Sequence, residues 1–494
     1  MSATLMQVLD TTIVNVALPH MQGALNAAPD QISWTLTSYL ISSAIFMPLT
    51  GYFSDMLGRK KYLLLCIGGF TIASAFCGAA QSLSEIVLFR LLQGIFGAAL
   101  VPLSQAIMVD IYELKERGKA MAIWGVGVMA GPVLGPTLGG YLTDILSWRW
   151  TFYVNVPIGI IALILAWQVV PDTIKKKRSM DWNSLALISL AIGSLQYFLD
   201  RGNQDDWFNA HNIQLAALLC IAGFIGFILR SLNHNMRKSN KSVFDLHVFK
   251  DRNFTIASLL LAIIGLGLYG TMVIQPLFLE SLLNYPALSA GWVMAPMGIG
   301  SMLSMMLVGK IINYIKPRNI IIVGIIFTAI GTYFCTYYSQ NIDFWWLIWP
   351  TFLRGFGLGM TFVPLAVLAF STLPNHLKAE ATGVYSLIRT LGSSIGIAIT
   401  LTIFTRHTQI AWNQLGGFIN PYNPNLINYL SAIHLKLTTP IAHAILGKVL
   451  NEQAQTLSFV NVYAFITWSF LFMLPLAFLI KDQGGNSLVD NTHN

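Results

Sequence analysis

Residues 125–140 read Gly125-Val-Gly-Val-Met-Ala-Gly-Pro-Val-Leu-Gly-Pro-Thr-Leu-Gly-Gly140, an apolar stretch punctuated by glycine and proline. Four of its glycines recur every four residues: Gly127, Gly131, Gly135 and Gly139. That spacing places them on one face of a helix, where they let a second backbone approach closely. Pro132 and Pro136 each remove a backbone donor and bend the helix. Lipid tolerates this only where neighbouring helices or a water-filled cavity satisfy the freed carbonyls. The stretch predicts either a close-packed dimer seam or a bent helix beside a cavity, and the prolines favour the second.

The composition of the whole chain is that of a membrane protein. Its 494 residues are 55% hydrophobic and only 10% charged, and the mean hydropathy is +0.63. Soluble domains are about one quarter charged. The apolar runs are long enough for helices of about 20 residues and lack the alternation of a β-barrel. The four cysteines lie inside apolar runs, so we interpret them as core residues rather than disulfides or metal ligands. We therefore predict an all-α polytopic membrane protein without cofactor or metal.

Fourteen apolar runs predict fourteen transmembrane helices. They lie at about 1–22, 34–53, 62–81, 84–109, 119–143, 151–170, 182–199, 213–231, 254–280, 288–313, 319–339, 344–371, 381–403 and 458–480. Few apolar residues precede Asp10, so the inner half of the first helix is predicted to be short. An even number of helices places both termini on one side of the membrane.

The distribution of Lys and Arg predicts the orientation. Of 29 such residues, 21 fall in loops on one side, five in loops on the other side and three within spans. Cytoplasmic loops carry the excess of positive charge, so both termini are predicted to be cytoplasmic. The net charge of +8 is explained by this distribution and does not indicate nucleic-acid binding.

A faint internal repeat predicts how the helices are grouped. Leu91-Leu-Gln93-Gly-Ile-Phe-Gly97 and Phe352-Leu-Arg354-Gly-Phe-Gly357 lie in the fourth and twelfth predicted helices. Parallel repeats of this kind indicate two six-helix bundles with two helices inserted between them. We predict four regions: a bundle at 1–170; a basic linker, two inserted helices and an inner-surface segment at 171–253; a bundle at 254–480; and a tail at 481–494. The longest outer loop, 405–457, is predicted to hold two short amphipathic helices.

Charged residues within the predicted spans are candidates for function. Asp10 is the acidic residue that lies near the middle of a span, and burial that changes with the side it faces would change its proton affinity. A carboxylate of that kind can exchange a proton for a substrate, although it can also merely pack two helices. We expect Arg389 to act on Asp10 across a cavity, with Arg90 as the second candidate. Arg90 either faces a cavity or extends to the nearby outer interface.

Three motifs resemble those of a known family. Gly51-Tyr-Phe-Ser-Asp-Met-Leu-Gly-Arg-Lys-Lys61 resembles the loop signature of the major facilitators, and 125–140 resembles the antiporter motif in the fifth helix of their exporters. Gln7-Val-Leu-Asp-Thr-Thr-Ile-Val-Asn-Val-Ala-Leu-Pro19 is similar to the first-span signature of the fourteen-span drug:proton antiporters. Gly193–Gly202 and Asn420–Asn425 are similar to the EmrB branch. The resemblance covers essentially the whole chain.

The resemblance implies a major facilitator fold and a function in efflux. It implies that amphiphilic toxic compounds leave across the inner membrane by alternating access as protons enter, with a periplasmic adaptor of the EmrA type and an outer-membrane channel as partners. The expected cavity residues are Gln7, Thr11, Asn15, Trp124, Met272, Gln275, Met297, Arg354 and Tyr385. The expected inner-gate residues are Gly51, Asp55, Gly58, Arg59 and Lys60, with Glu116 as a possible partner of Arg59. Arg354 stands where the family leads us to expect an uncharged glutamine, which bears on the charge of the substrate.

Other functions remain open at this level. An uptake symporter of the same fold is the alternative within transport, but the glycine–proline stretch and the Asp10 motif favour export. A receptor or scaffold on a transporter fold is a second class. A membrane enzyme is a third, and no His/Asp/Glu cluster, nucleotide loop or metal-ligand spacing supports it. The sequence does not identify the substrate, because walls rich in Met and aromatic residues fit many ligands.

Overall fold

The computed structural model describes residues 1–112, 116–173, 175, 181–236, 246–374 and 377–481. Some side chains within these ranges lie outside the description: Pro29, Asp30, Pro132, Val133, residues 233–236, Leu246, Ala287, Leu288 and Ala379. Fourteen long helices run through the described part. They are α1 (Ser2–Ala24), α2 (Trp34–Leu57), α3 (Arg59–Ala79), α4 (Leu83–Ile111), α5 (Arg117–Ile145), α6 (Trp150–Val169), α7 (Trp182–Arg201), α8 (His211–Leu232), α9 (Arg252–Leu282), α10 (Ser289–Ile311), α11 (Pro317–Tyr337), α12 (Phe344–Ala369), α13 (Glu380–Gly416) and α14 (Pro440–Phe478).

The all-α prediction and the count of about fourteen helices are confirmed. Thirteen of the helices are long and apolar enough to cross a membrane, and α1 is the exception. Its polar residues, among them Gln7 and Asp10, lower its mean hydropathy, but both of these side chains are buried among other helices. A polar helix of this kind is stable in a membrane only because its neighbours cover its polar face.

The helices form two bundles of six with a pair inserted between them. Helices α1–α6 pack on one another, as do α9–α14, while α7 and α8 pack together and α7 contacts α2 and α13. Across the interface α5 contacts α10 and α12, and α13 contacts α2 and α4. The fifth helix of each bundle therefore meets the second and fourth helices of the other. This reciprocity is what two parallel repeats around an axis along the membrane normal require.

The two last helices are much longer than predicted. Helices α13 and α14 have 37 and 39 residues, or about 55–59 Å at 1.5 Å per residue, against about 30 Å for the hydrocarbon core of a bilayer. The prediction of a loop over 405–457 is therefore wrong for most of its length, because both helices continue through it. One short helix, Pro424–Ala432, matches the first predicted amphipathic segment, and the second is the beginning of α14. We call residues 405–457 the projection.

The projection has a small core of its own. Leu426, Leu430, Ala442 and Leu446 are buried together, with Ile419, Leu435 and Leu437 packed around them. Nearer the six-helix bundle, the Thr408 hydroxyl donates to Ser458 Oγ at 2.9 Å and joins α13 to α14. The projection is thus a packed helical hairpin.

The inserted helices are tied together at one end by a bidentate ion pair. Arg230 Nε and Nη2 donate to the two carboxylate oxygens of Asp181 at 2.7 and 2.9 Å. The Arg230 hydrogen bonds and the Ser184 hydroxyl hold the pKa of Asp181 well below its usual range. Residues 174 and 176–180 of the predicted basic linker, residues 237–245 of the predicted inner-surface segment and the tail from 482 to 494 lie outside the described residues. Within 233–253 the structure describes a turn of 3₁₀-helix at Leu246–Lys250.

Candidate functional site: a buried charge cluster on α1 and α4

Asp10 lies at the centre of a buried hydrogen-bond cluster. Its Oδ2 accepts a hydrogen bond from Arg90 Nη1 at 2.6 Å. Its Oδ1 accepts from Gln93 Nε2 at 2.9 Å and from Asn155 Nδ2 at 2.8 Å. All four side chains are at most 1% exposed. Both oxygens receive donors, so the arrangement suits an ionised carboxylate.

Arg90 is fully compensated in this cluster. Besides Asp10, its Nη1 donates to Gln93 Oε1 at 2.8 Å, and its Nε donates to the Thr35 carbonyl at 3.0 Å. The guanidinium carbon also lies 4.2 Å from the centre of the Tyr39 ring, a cation–π distance. Arg90 therefore does not extend to the outer interface. It is the cation that α4 presents to α1.

A third helix completes the cluster. Asn155, near the beginning of α6, also donates to Ser74 Oγ at 3.1 Å, and Ser74 donates to the Phe152 carbonyl at 2.9 Å. Sequence reasoning missed Gln93 as a partner of Asp10 and did not consider Asn155. The available signal was their type: uncharged amides inside apolar runs need a polar partner in lipid.

Other residues predicted to surround Asp10 are not in the cluster. The Gln7 side chain accepts from the Val101 backbone N–H at 3.2 Å, and Thr11 donates to the carbonyl of Val8 in its own helix. Asn15 is exposed. Arg389 is half-buried on α13, and none of the hydrogen bonds to Asp10 comes from it. The order of the two arginines is therefore reversed: Arg90 contacts Asp10 directly.

The glycine stripe of α5 fixes the position of α1. A Cβ at Gly131 would lie 2.9 Å from the backbone N of Leu9, and one at Gly139 would lie 2.9 Å from the Ile13 carbonyl oxygen. Gly135 contacts Thr12 and Gly127 faces Met1. The stripe thus packs against the segment of α1 that carries Asp10. It forms a close seam between two helices of the same chain, whereas the seam weighed from the sequence was a dimer seam. The Pro132 side chain lies outside the described residues, and Pro136 is half-buried.

The loop motif closes the end of the bundle where α2 meets α3. Gly58 has φ +85°, which favours glycine, and separates the two helices. Arg59 forms an ion pair with Asp110 at the end of α4, so the expectation of Glu116 as its partner is corrected. A Cβ at Gly51 would lie 3.0 Å from the Cα of Glu380, where α13 begins. The motif therefore lies where the two bundles meet; Asp55 interacts electrostatically with Arg59, and Lys60 is half-buried.

The remaining predicted cavity residues divide between two places. Trp124 is buried and its ring stacks on that of Phe362, with centroids 5.9 Å apart, where α5 meets α12. A second group lies inside the second bundle and contains Gln275, Met297 and Arg354. Arg354 Nη2 donates to Gln275 Oε1 at 2.7 Å and also contacts Met297 Sδ. Tyr385 is buried between Phe254 and Phe370, and Met272 is half-buried. The structure thus does not bring all nine predicted residues to one site.

Two bundles related by a pseudo-twofold axis, with an ion pair buried inside one of them, define a membrane transporter of the two-bundle class. The model of the Major Facilitator Superfamily matches residues 1–397. The chain is 33% identical to the multidrug export protein EmrB of Escherichia coli over 98% of its own length and 94% of that protein. It therefore belongs to the Major Facilitator Superfamily, as an EmrB-like member.

Further comparisons agree. The chain is 32% identical to the fatty acid resistance protein FarB of Neisseria gonorrhoeae, over 97% of its own length and 94% of that protein. Among solved structures, the proton:xylose symporter XylE superimposes with a TM-score of 0.60 at 16% identity, over 98% of this chain and 95% of XylE. The human transporter MFSD10 gives 0.59 at 14% identity, over 95% and 97% of the two chains. At these identities the structural matches speak for the fold alone.

Proposed function

We propose that this protein exports amphiphilic toxic compounds across the inner membrane in exchange for protons. Relatives named for multidrug export and for fatty acid resistance cover nearly the whole chain, which supports the export of toxic compounds. The observation that carries the proton coupling is the buried pair between Asp10 and Arg90. A carboxylate buried at the centre of a bundle is costly to keep charged and is retained where its charge has a use.

The pair is a means of coupling because protonation changes it. A proton on Asp10 removes the negative charge that holds Arg90, and the amides of Gln93 and Asn155 then face a neutral acid. The helices α1, α4 and α6 would be held together less strongly in that state, since charge-assisted hydrogen bonds are about twice as strong as neutral ones. Loss of the proton restores the cluster. Substrate binding that favours one of these states would therefore be linked to proton binding.

The orientation and the partners belong to the same proposal. We expect both termini on the cytoplasmic side, because 21 of the 29 basic residues fall in the loops there. The projection would then extend into the periplasm. It would present a site for an adaptor of the EmrA type, which in turn would lead to an outer-membrane channel.

The test is a measurement of proton movement by the purified protein. In proteoliposomes, addition of a substrate to wild type should drive a pH change across the membrane. Asp10→Asn should still bind the substrate but should reduce this pH change to that of protein-free liposomes. Equal proton movement in wild type and Asp10→Asn would remove Asp10 from the mechanism. Absence of substrate efflux from inverted vesicles would leave a receptor or scaffold as the better explanation.

A further inference from the structure

Arg354 is a buried cation for which the described residues supply no carboxylate. Its side chain is 1% exposed. Nη2 donates to Gln275 Oε1 at 2.7 Å and lies 3.2 Å from Met297 Sδ, whereas Nε and Nη1 have no acceptor among the described residues. A guanidinium stays charged in a protein, and an uncompensated charge inside a membrane is costly. An acceptor supplied from outside the chain would satisfy it.

The internal repeat allows the surroundings of Arg354 to be compared with those of Gln93, the equivalent residue of the first bundle. Gln93 and Arg354 each precede a glycine that packs against the second helix of its own bundle, Gly94 on α2 and Gly355 on α10. Gln93 reaches Asp10 on α1, the first helix of its bundle, and Arg354 reaches Gln275 on α9, the first helix of the other. The first bundle therefore holds a neutral ion pair. The second holds a cation and an amide, and the described residues place no carboxylate between them.

A second donor without an acceptor lies beside Arg354. Tyr463 on α14 is fully buried, its hydroxyl has no hydrogen-bond acceptor among the described residues, and the guanidinium acts on it electrostatically. The neighbouring wall is aromatic: the Tyr338 ring lies 5.7 Å from that of Tyr463 and stacks on Phe278 at 5.5 Å. Several N–H and O–H donors without acceptors, next to an apolar wall, suit one anionic group on an apolar body.

We propose that Arg354 and Tyr463 bind the anionic group of an amphiphilic acid and make this protein selective for carboxylate-bearing substrates. The proposal rests on the export function proposed above and names its substrate class. A planar guanidinium matches a carboxylate in shape and charge. Met297, which contacts Arg354, belongs to α10, the helix that packs on α5 across the bundle interface. A rearrangement of the interface between α5 and α10 would therefore reach the guanidinium through the Met297 side chain.

The test is binding of charged amphiphiles to purified protein in phosphatidylcholine nanodiscs, in chloride-free buffer. The probes are dodecanoate, dodecanol and dodecyltrimethylammonium, which share an alkyl chain and differ in charge. Wild type should bind dodecanoate about tenfold more tightly than dodecanol, as expected for charge-assisted hydrogen bonds. Arg354→Gln, which places the residue of the first bundle here, should abolish this preference. Arg354→Lys should keep part of it, and Tyr463→Phe should weaken it.

A matched control is Arg406→Gln, which removes an exposed arginine on α13 and should bind dodecanoate as wild type does.

Thermal unfolding supplies a second readout: without ligand, Arg354→Gln should unfold at a higher temperature than wild type, because an uncompensated charge is gone. Equal dodecanoate binding by wild type and Arg354→Gln would overturn the proposal. So would a wild type that does not prefer dodecanoate to dodecanol. Saturation by chloride or by phosphatidylglycerol, with dodecanoate unable to compete, would make this an inorganic-anion or lipid site and would also overturn it.

The binding assay uses no proton gradient, so it separates this proposal from the preceding one. A protein that binds dodecanoate through Arg354 but moves no protons would overturn the exchange mechanism and leave this site standing. A protein that exchanges protons for cationic compounds and ignores dodecanoate would do the reverse.

Discussion

Single residues in the membrane interior act here through charge balance. Asp10 and Arg90 are buried to the same degree and neutralise each other, and each also binds uncharged groups of its surroundings. A buried ion pair rarely adds net stability, but removing one partner leaves the other uncompensated. The two side chains therefore stay paired because separating them would leave an uncompensated charge in the interior of the bundle. This makes the pair suited to a switch that is opened by a proton.

The mutual dependence of Asp10 and Arg90 can be measured as a double-mutant cycle. We expect Asp10→Asn and Arg90→Gln each to lower the free energy of unfolding by about 3–5 kcal/mol, because each leaves an unpaired buried charge. The double variant should lose less than the sum of the two, since it leaves no charge unpaired. The measurement is thermal or denaturant unfolding in detergent. Additive losses would show that the two side chains do not depend on each other.

At the scale of elements, the sequence predicted which residues of a helix make close contacts better than it predicted which residues they contact. The stripe at Gly127–Gly139 predicted a close approach, but not that α1 is the helix that approaches. Arg59 was predicted to pair with a carboxylate at the same end, and the pair exists with Asp110 instead of Glu116. Which helix faces which is decided by tertiary packing. A sequence periodicity reports only the face that packs.

The extra length of α13 and α14 escaped prediction for a different reason. Beyond the membrane these helices are amphipathic rather than uniformly apolar, so a hydropathy window ends them at the bilayer surface. The second amphipathic helix predicted within 405–457 is indeed helical, but nothing local shows that it continues into the next span. In the same way, Asn155 carries no pattern that connects it with Asp10. Such contacts depend on residues 145 positions apart.

The seam between α5 and α1 gives a prediction with an internal control. Gly131→Leu should block export while leaving membrane insertion intact, because a side chain there would push against Val8 and the backbone of Leu9. Gly140→Leu is the control, because it adds the same side chain to the same helix at a position where an added Cβ meets nothing within 4 Å. Export from cells at matched expression levels is the measurement. Normal export by Gly131→Leu, or equal loss in both variants, would contradict a role for this seam.

At the scale of the whole molecule, the projection is the feature that the transport cycle does not explain. Two helices extend well past the span of a bilayer and are closed by a small core of their own. On its outside, large apolar side chains remain exposed: Phe418 at 67%, Tyr422 at 92% and Ile441 at 62%. Apolar groups of this size on an extension away from the bilayer indicate a surface that binds something. The choices are the lipid headgroups and a partner protein, and the resemblance to EmrB favours an adaptor.

The adaptor can be sought by site-specific crosslinking in a host that produces an EmrA-type protein. Photo-crosslinkers at Asn428, which is exposed on the helix Pro424–Ala432, and at Ile441 should capture it. A crosslinker at Tyr314, which is 89% exposed between α10 and α11, serves as the control and should not. The functional arm of the test uses the substitutions Phe418→Ser and Ile441→Ser, which alter only exposed side chains. We expect them to lower export by intact cells and to leave substrate-driven proton movement in proteoliposomes unchanged, because under this proposal only export by intact cells uses an adaptor. Capture of lipid alone, with export by intact cells unaffected, would rule out the partner role.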